Sequence, residues 1–595
     1  MRSLSHNWLG AEGAAALAPA LAANGALTKL SLAQNKLEEE GTKAICEALE
    51  QNTTLKELDI SGHRFLGSNI EGSAGAKHVA KMLGVNGGLT SIDLRDNQLC
   101  GIWIDRRGNQ NGTNTAEGIV AIADALRVNG SLTSVKLRDN RLGDEGWGAI
   151  FAAICANKDS KIMSLDASKE NIGPTGVKLI TEALRMSVTG ALTSLDLSGN
   201  QLCGLDLYGR GTYTAEGITA IADALRVNGG LTSINLSGNQ LCGIYTYFGE
   251  LRGTYTAVGI AAIAEALRVN GGLTSIDLSR NQLCGIWSDN YGNQRGTYTA
   301  EGITAIADAL GVDGGLTSLN LSSNQLCGLN HLGRGTYTAE GITAIADALR
   351  VNGALTRVDV RRNNIAGDGA VQLAAAVLCN LKIEMFNEIP IKEMRANSLT
   401  KLDLMRKDVG VAGGMVVAGL IPVMGALTAL NLFSNDLKDE GVSAVCEAIQ
   451  SNKETKLASL NFGNNGIHPV GANAVAAMVA VTGALTATNL LGNWFDAESA
   501  KMLAEVAKQK GISLCGILRD QTTANFSNQN LKPPDAILLA SDLSQVVVTG
   551  GLTSLDLSNN ELCGLDDFGR GTYTAVGITA IADALRVNGG LTKIE

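Results

Sequence analysis

Apolar and polar residues alternate in short stretches that recur along the chain. In one of them, Leu195 and Leu197 alternate with Asp196 and Ser198. A period of two residues is typical of a strand that buries one face. The sequence therefore predicts a short strand here, with its leucines turned toward a core and its polar side chains turned outward.

A second period follows each of these predicted strands. Between Thr214 and Asn228 the apolar residues stand at positions i, i+3, i+4 and i+7, namely Ile218, Ile221, Ala222 and Leu225. This spacing predicts an amphipathic helix. We expect Thr214 to cap its N-terminus and Gly229 to lie just past its C-terminal end.

The strand and the helix belong to a repeat. The residues from Leu192 to Leu202 match L-x-x-L-x-L-x-x-N-x-L at every fixed position, a strong signal because it recurs. Since a single unit cannot bury its own apolar face, units must stack. We expect an α/β leucine-rich-repeat solenoid, a horseshoe with one concave parallel β-sheet and helices on the convex side. Units open at Leu27, Leu55, Leu89, Leu132, Ile162, Leu192, Leu231, Leu273, Leu316, Leu355, Leu399, Leu427, Leu457, Leu485 and Leu552.

One asparagine follows the strand in most units. The Asn200 amide can satisfy backbone groups of its own coil and of the adjacent coil. We therefore predict a structural ladder formed by Asn200 and its counterparts Asn97, Asn140, Asn239, Asn281, Asn324 and Asn560.

The shortest units place the chain in a known class. A 28-residue spacing separates Leu27 from Leu55, and the Asn435, Leu437 and Gly441 link has the form N-x-L-x-x-x-G. This pattern resembles the ribonuclease-inhibitor class of leucine-rich repeats. Ribonuclease inhibitor, the sensor regions of NOD-like receptors and the Ran GTPase-activating protein are in that class. The resemblance implies a horseshoe that grips another protein, and it identifies no particular partner.

Several units are lengthened at one place. Asn140 is followed by a helix glycine, Gly146, after six residues, whereas seventeen residues separate Asn200 from Gly217. Since all units point the same way, the residues inserted between strand and helix must project from one rim. We divide the chain into residues 1–380 with rim insertions, a degenerate short repeat 381–398, compact repeats 399–513, an irregular segment 514–551 that is either a distorted repeat or a joint between two arrays, and a truncated insertion-type repeat 552–595.

Charge and cysteine usage restrict the functions further. A net charge of -10 over 595 residues gives no basic stripe, so we expect no nucleic-acid partner. Eleven cysteines, with no C-x-x-C and no leader peptide, favour a reduced, cytoplasmic location. The uncharged runs Val409 to Asn435 and Pro469 to Phe495 each match a repeat helix, its turn and the next strand, so membrane insertion is not expected.

No motif for catalysis occurs in the chain. A phosphate-binding G-x-x-x-x-G-K-[ST] loop, H-E-x-x-H and G-x-S-x-G are all absent. We therefore expect no catalytic residue, no cofactor and no bound metal. The cysteines of the repeated Leu-Cys-Gly could form a metal or redox ladder, but a straight row supplies tetrahedral zinc poorly, and buried thiols are expected.

The rim insertions hold all nine tyrosines of the chain. Tyrosine, tryptophan and arginine are enriched in the residues that dominate binding energy. The tyrosine of the repeated Thr-Tyr-Thr is expected to pack its own loop. The variable tips are predicted to contact a partner, through Tyr208, Arg210, Tyr245, Tyr247, Phe248, Trp287 and Tyr291. An alternative site is the outward row of the sheet, Asp196, Asn235, Asp277 and Asn320.

These patterns favour a non-catalytic scaffold that binds other proteins. Two alternatives use the same fold: a GTPase-activating protein of the Ran type, and the sensor fragment of a NOD-like receptor. The first would hydrolyse GTP with a small GTPase. The second would need a nucleotide-binding domain beside this chain.

Overall fold

The computed structural model describes residues 2–63, 67–104, 110–112, 115–187, 191–206, 211–247, 250–288, 294–312, 314–329, 333–566 and 568–595. The chain is divided into two units, Met1–Thr336 and Tyr337–Glu595. Each of them alternates short strands with helices.

The strands of the first unit are short, most of them three residues long. They are β1 (Arg2–Ser3), β2 (Lys29–Ser31), β3 (Glu57–Asp59), β4 (Ser91–Asp93), β5 (Ile102–Ile104), β6 (Gln110–Gly112), β7 (Ser134–Lys136), β8 (Ser164–Asp166), β9 (Ser194–Asp196), β10 (Ser233–Asn235), β11 (Ile244–Tyr247), β12 (Glu250–Gly253), β13 (Ser275–Asp277), β14 (Ile286–Ser288), β15 (Gln294–Gly296) and β16 (Ser318–Asn320). The helices are α1 (Gly10–Ala23), α2 (Glu38–Leu49), α3 (Gly72–Val85), α4 (Glu117–Leu126), α5 (Gly143–Ala156), α6 (Pro174–Arg185), α7 (Glu216–Val227), α8 (Val258–Leu267) and α9 (Glu301–Leu310).

Parallel pairing joins the repeats of this unit. Strands β1, β2, β3, β4 and β7 are hydrogen-bonded in that order, and so are β8, β9, β10, β13 and β16. Equivalent residues pair, as Ser233 does with Ser194 and with Ser275. The predicted parallel arrangement is confirmed, but the single uninterrupted sheet is not, because β7 and β8 belong to different sheets. At this interruption Glu170 stands where other repeats have the turn asparagine, and its Oε1 accepts the N–H of Asp139 at 2.7 Å.

The helical face is buried as the spacing predicts. Ile218 and Ala222 are fully buried, and each helix packs on the helix of the preceding repeat. The predicted N-cap needs correction. Ala215 is the N-cap of α7, and the hydroxyl of Thr214, one residue earlier, accepts the N–H of Glu216. At the other end Gly229 lies just past the helix as expected, and the C-cap residue Asn228 is in extended conformation.

The asparagine ladder is confirmed. The Asn200 Oδ1 accepts the N–H groups of Glu170 and Ile172 in the preceding coil, at 2.9 and 3.1 Å. Its Nδ2 donates to the carbonyl oxygens of Ala167 and Leu197. Asn200 is 1% exposed, so these bonds satisfy backbone groups that water cannot reach.

A second asparagine ladder lies at the C-terminal ends of the helices, and the sequence analysis missed it. The Nδ2 of Asn129 donates to Leu83 O and Asn86 O in the preceding repeat, at 2.7 and 3.3 Å. Its Oδ1 accepts the N–H groups of Ser131 and Leu132. One amide thus satisfies helix-end carbonyls and shapes the turn toward the next strand. The equivalent residues are Asn52, Asn86, Asn157, Asn228, Asn270, Asn352, Asn380 and Asn588.

The second unit has the same alternation. Its strands are β17 (Arg357–Asp359), β18 (Met385–Phe386), β19 (Lys401–Asp403), β20 (Ala429–Asn431), β21 (Ser459–Asn461), β22 (Ala487–Asn489), β23 (Thr523–Asn525), β24 (Ser554–Asp556) and β25 (Lys593–Ile594). Its helices are α10 (Glu340–Val351), α11 (Gly367–Cys379), α12 (Ile391–Arg395), α13 (Gly410–Leu420), α14 (Lys438–Ser451), α15 (Pro469–Val481), α16 (Ala497–Lys510), α17 (Pro533–Leu543), α18 (Val546–Thr549) and α19 (Val576–Leu585), with a 3-10 turn at Ile421–Val423.

Its strands form three parallel groups: β17 with β18, then β19 to β22, then β23 to β25. The last two groups are separated by a repeat without a helix of its own. Ser513 and Cys515 bridge to Ala487 and Asn489 of β22, and the chain then runs directly into β23. The buried Asp542 of α17 holds this segment by accepting the N–H groups of Leu514 and Cys515.

The two uncharged runs of this unit contain helices of ordinary length. They are α13, of 11 residues, and α15, of 13 residues. Across the part of the chain that the structure describes, no helix is both long enough and apolar enough to cross a membrane.

The cysteines of Leu-Cys-Gly pack into the core. Cys100, Cys203, Cys242, Cys284 and Cys327 are at most 1% exposed, as expected for structural thiols. Burial raises the pKa of the Cys203 thiol to about 12, which keeps it protonated and unreactive. Cys563 is only half-buried and departs from this pattern.

Candidate partner-binding rim

The rim insertions are not irregular loops. Three of them form antiparallel β-hairpins, β5 with β6, β11 with β12 and β14 with β15. Shorter insertions close through a single bridge, Leu205 with Gly211, Leu329 with Gly335, and Leu565 with Gly571. The sequence analysis missed the hairpins, although the alternation of β-branched and aromatic residues in Ile-Tyr-Thr-Tyr is a strand signal.

Hairpin pairing places aromatic positions opposite polar ones. Tyr245 is paired with Arg252, and Trp287 with Arg295. Strand β12 lies beside β14, so the hairpins of neighbouring repeats are adjacent. Positions of these two hairpins that are far apart in sequence therefore lie close together.

Several of the insertions are anchored by the tyrosine of Thr-Tyr-Thr, both the hairpin of β11 with β12 and the bridged insertion before it. The Tyr213 hydroxyl donates to Leu241 O of the next repeat at 2.9 Å, and Tyr255 donates to Leu283 O at the same distance. The Tyr255 oxygen also accepts the N–H of Gly302 at 3.2 Å. Burial raises the pKa of both phenols, so they stay protonated and keep donating. The predicted structural role is confirmed for Tyr213 and Tyr255, whereas Tyr573 is 65% exposed and departs from it.

The glycine of Leu-Cys-Gly is required at the start of each insertion. Gly243 has φ of +78°, and a Cβ there would lie 2.5 Å from Thr254 O and 3.4 Å from the Tyr213 ring. A side chain would therefore strain the backbone and push the hairpin away from the repeat.

The structure places the predicted rim residues unequally. Tyr245, Tyr247 and Trp287 lie in hairpin strands, and for these residues only the backbone is described. Tyr208, Arg210, Phe248 and Tyr291 lie outside the described residues. Their role in binding a partner stays a prediction.

The alternative site, the outward row of the sheet, is brought together in register on β9, β10, β13 and β16. Its polar groups bond to each other. The Asn235 amide donates to Asp196 at 3.1 Å, and the Asn320 amide donates to Asp277 at 2.8 Å. The remaining oxygen of each residue accepts a serine N–H in the following turn, from Ser198, Ser237, Ser279 and Ser322.

The described residues contain no group of three or more His, Cys, Asp or Glu side chains that could hold a metal ion. The described polar groups of the sheet face offer hydrogen bonds and charge. These are the interactions by which one protein recognises another.

The repeated strands, turns and helices form a leucine-rich-repeat fold. The family model described as "Leucine Rich repeat" matches residues 3–18, 51–69, 128–151, 354–374 and 427–446. A curated relative is RAN GTPase-activating protein 2 of Arabidopsis thaliana, 30% identical over 123 residues. The match covers 21% of this chain and only 22% of that protein.

Two solved structures are among those similar to the chain. The leucine-rich repeat-containing protein LegL7 from Legionella pneumophila is 18% identical, with a TM-score of 0.28, over 59% of this chain and 90% of its own. The TLR13–ssRNA13 complex is 13% identical, with a TM-score of 0.39, over 96% of this chain and 68% of that one.

Proposed function

We propose that the chain is a non-catalytic scaffold that binds another protein through the hairpin rim of its first unit. The hairpins between Leu202 and Tyr337 supply its specific contacts. The abundance of buried free thiols is compatible with work in a reduced, cytoplasmic compartment. The acidic net charge of -10 disfavours nucleic acid as the partner.

The contrast between the rim and the sheet supports this proposal. The strands β9, β10, β13 and β16 present nearly the same residues, and their outward groups are already hydrogen-bonded to each other. The hairpins differ in length and in aromatic content, as Ile-Tyr-Thr-Tyr differs from Ile-Trp-Ser. A partner can therefore distinguish one position from another along the rim. On the sheet it would meet a uniform surface.

A binding experiment can test the location. Partners cross-linked to the full chain in a cell lysate are identified by mass spectrometry, purified, and then titrated against variants. We expect Tyr247→Ala with Trp287→Ala to weaken the complex by about 2 kcal/mol, roughly 30-fold, without unfolding the array. The control Ser194→Ala, Ser233→Ala and Ser275→Ala should bind normally. Normal binding by the hairpin variant, together with loss on changing Asp196 and Asp277 to Asn, would place the site on the sheet instead.

A second candidate function has one observation in its favour. The 30% identity with RAN GTPase-activating protein 2 suggests a GTPase-activating role on the same fold. The test is single-turnover GTP hydrolysis by Ran and a panel of other small GTPases with and without the chain. Faster GTP hydrolysis in the presence of the chain would establish this function. Unchanged hydrolysis across the panel would favour the non-catalytic scaffold.

A further inference from the structure

The second unit contains a cavity of about 660 Å³ that the rim proposal does not involve. One wall is formed by the turns that follow β19 to β22. The other wall is the segment between β23 and α17. The residues used below are Arg406, Phe433, Asn461, Asn489, Trp494 and Lys532.

The helix-less repeat accounts for the position of the cavity. Because Ser513 and Cys515 fill the place beside β22 without adding a helix, β23 begins a separate sheet. The two walls are fastened to each other by Asp535, which is 1% exposed. Its Oδ1 accepts the N–H of Gly492 at 2.9 Å, and its Oδ2 accepts the N–H of Lys532 at 2.8 Å. The cavity therefore has a defined shape.

The described lining of the cavity holds two cationic side chains, Arg406 and Lys532, and one carboxylate, Asp535. Arg406 and Lys532 form no ion pair within 4 Å with any residue that the structure describes. Asp535 supplies the one carboxylate of the described lining, and both its oxygens are occupied. In a chain of net charge -10, such a site attracts an anionic group and gains from pairing with it.

The side-chain amides of Asn461 and Asn489 have N–H donors that are available to a ligand. The Oδ1 of Asn461 accepts Gly463 N–H, and that of Asn489 accepts Leu491 N–H, each at 3.0 Å. In the first unit the equivalent Asn235 donates its Nδ2 to an aspartate on the preceding strand. Asn461 and Asn489 follow asparagines instead, and their Nδ2 groups donate to no residue within the described ranges.

Aromatic surface completes the site. The Trp494 side chain is 58% exposed, and its ring meets the His468 ring edge-on at 5.1 Å between centroids. The Phe433 ring is half-buried and lies 5.9 Å from the Arg406 guanidinium carbon. Exposed aromatic rings beside cations suit a ligand with both apolar and acidic groups.

We infer that this cavity binds an acidic peptide segment of a partner protein. Its carboxylates pair with Arg406 and Lys532, and an apolar or aromatic side chain packs on Phe433 and Trp494. The backbone carbonyl groups of the peptide accept hydrogen bonds from the side-chain amides of Asn461 and Asn489. These two residues lie on adjacent strands, which are about 4.8 Å apart. A peptide is the ligand that offers carboxylates, apolar or aromatic side chains and backbone carbonyl groups at short, regular intervals. This site is a second contact, independent of the hairpin rim.

The test uses fluorescein-labelled octapeptides and fluorescence anisotropy with the full chain. We expect the alternating Glu-Tyr octapeptide to bind and the alternating Lys-Tyr octapeptide not to bind. Arg406→Gln with Lys532→Gln should weaken binding about tenfold or more, and so should Trp494→Ala. The control Lys508→Gln with Lys510→Gln makes the same charge change on α16 and should bind like the unchanged chain.

A charge-preserving variant separates site loss from misfolding. Arg406→Lys with Lys532→Arg should bind within about threefold of the unchanged chain. The inference is overturned if the Glu-Tyr octapeptide does not bind, or if the cavity and α16 charge variants lose affinity equally. It is overturned as well if a labelled oligonucleotide binds at this site and the peptide does not compete.

Discussion

Replacing Glu170 with Gln should stabilise the interruption between β7 and β8 at neutral and alkaline pH. Glu170 is 6% exposed and occupies the ladder position that Asn200 occupies in the next repeat. Burial raises the pKa of its carboxyl group from the ordinary 4.5 to about 7, with the nearby charge of Asp139 acting in the same direction. The Asp139 N–H and Arg138 oppose this rise. Between about pH 4.5 and pH 7, the folded chain therefore holds a proton that the unfolded chain releases.

This difference in pKa between the folded and unfolded states makes the stability of the fold depend on pH. A pKa raised in the folded state stabilises the fold fully below pH 4.5, and that contribution is lost as pH rises through about 7. Since each pKa unit corresponds to about 1.4 kcal/mol, the local opening free energy should fall by up to about 3 kcal/mol between pH 5 and pH 8. Glutamine cannot ionise, so Glu170→Gln should remove this loss. The variant and the unchanged chain should be nearly equal at pH 5.

Hydrogen exchange measured by mass spectrometry can follow this region. Protection of residues 134–172, corrected for intrinsic exchange rates, is compared at pH 5.5 and pH 8. Glu145→Gln removes an exposed carboxylate from α5 and serves as the matched control. Equal protection of the Glu170→Gln variant and the unchanged chain at pH 8 would refute the reasoning, as would protection of the unchanged chain that rises with pH.

Two further changes test the core and the hairpin anchors. Leu236→Ala removes a fully buried side chain and should cost about 2 to 5 kcal/mol, opening its own repeats before residues 427–485 in hydrogen exchange; uniform loosening would contradict this. Tyr255→Phe leaves Leu283 O and Gly302 N–H without their partner and should cost about 1 to 3 kcal/mol in urea unfolding. Tyr573→Phe, at a ring 65% exposed, should change stability by less than about 0.5 kcal/mol.

The repeat itself could be predicted because its determinants are local. Leu195 and Leu197 show a strand period, and the position of Asn200 after the strand has a direct hydrogen-bonding reason. The helix ends could not be predicted as well. Asn129 was passed over because glycine follows it, and glycine is the usual residue past a helix end. Its bonds to Leu83 and Asn86 depend on the preceding repeat, which the local pattern does not show.

The features that concern binding depend on non-local structure. The hairpin of Tyr245 requires pairing with Arg252, seven residues later, whereas each insertion was expected only to be a loop. The second-unit cavity arises where Ser513 takes a strand position without a helix following it. The sequence analysis marked that segment as irregular, but an irregular stretch does not reveal which walls it separates. Asn461 is recognisable only by comparison with Asn235, whose neighbour is acidic.

The helix-end asparagine ladder makes this protein susceptible to deamidation at particular positions. In most repeats with rim insertions that asparagine precedes glycine, as in Asn129-Gly130 and Asn228-Gly229. Such pairs deamidate readily, because glycine lets the backbone nitrogen reach the side-chain carbonyl. Deamidation would replace the Asn129 Nδ2 donor with a carboxylate oxygen facing Leu83 O and Asn86 O. The hydrogen bonds that fix each amide therefore also slow its decay, and a repeat that opens often is the one that loses its connection to the preceding repeat first.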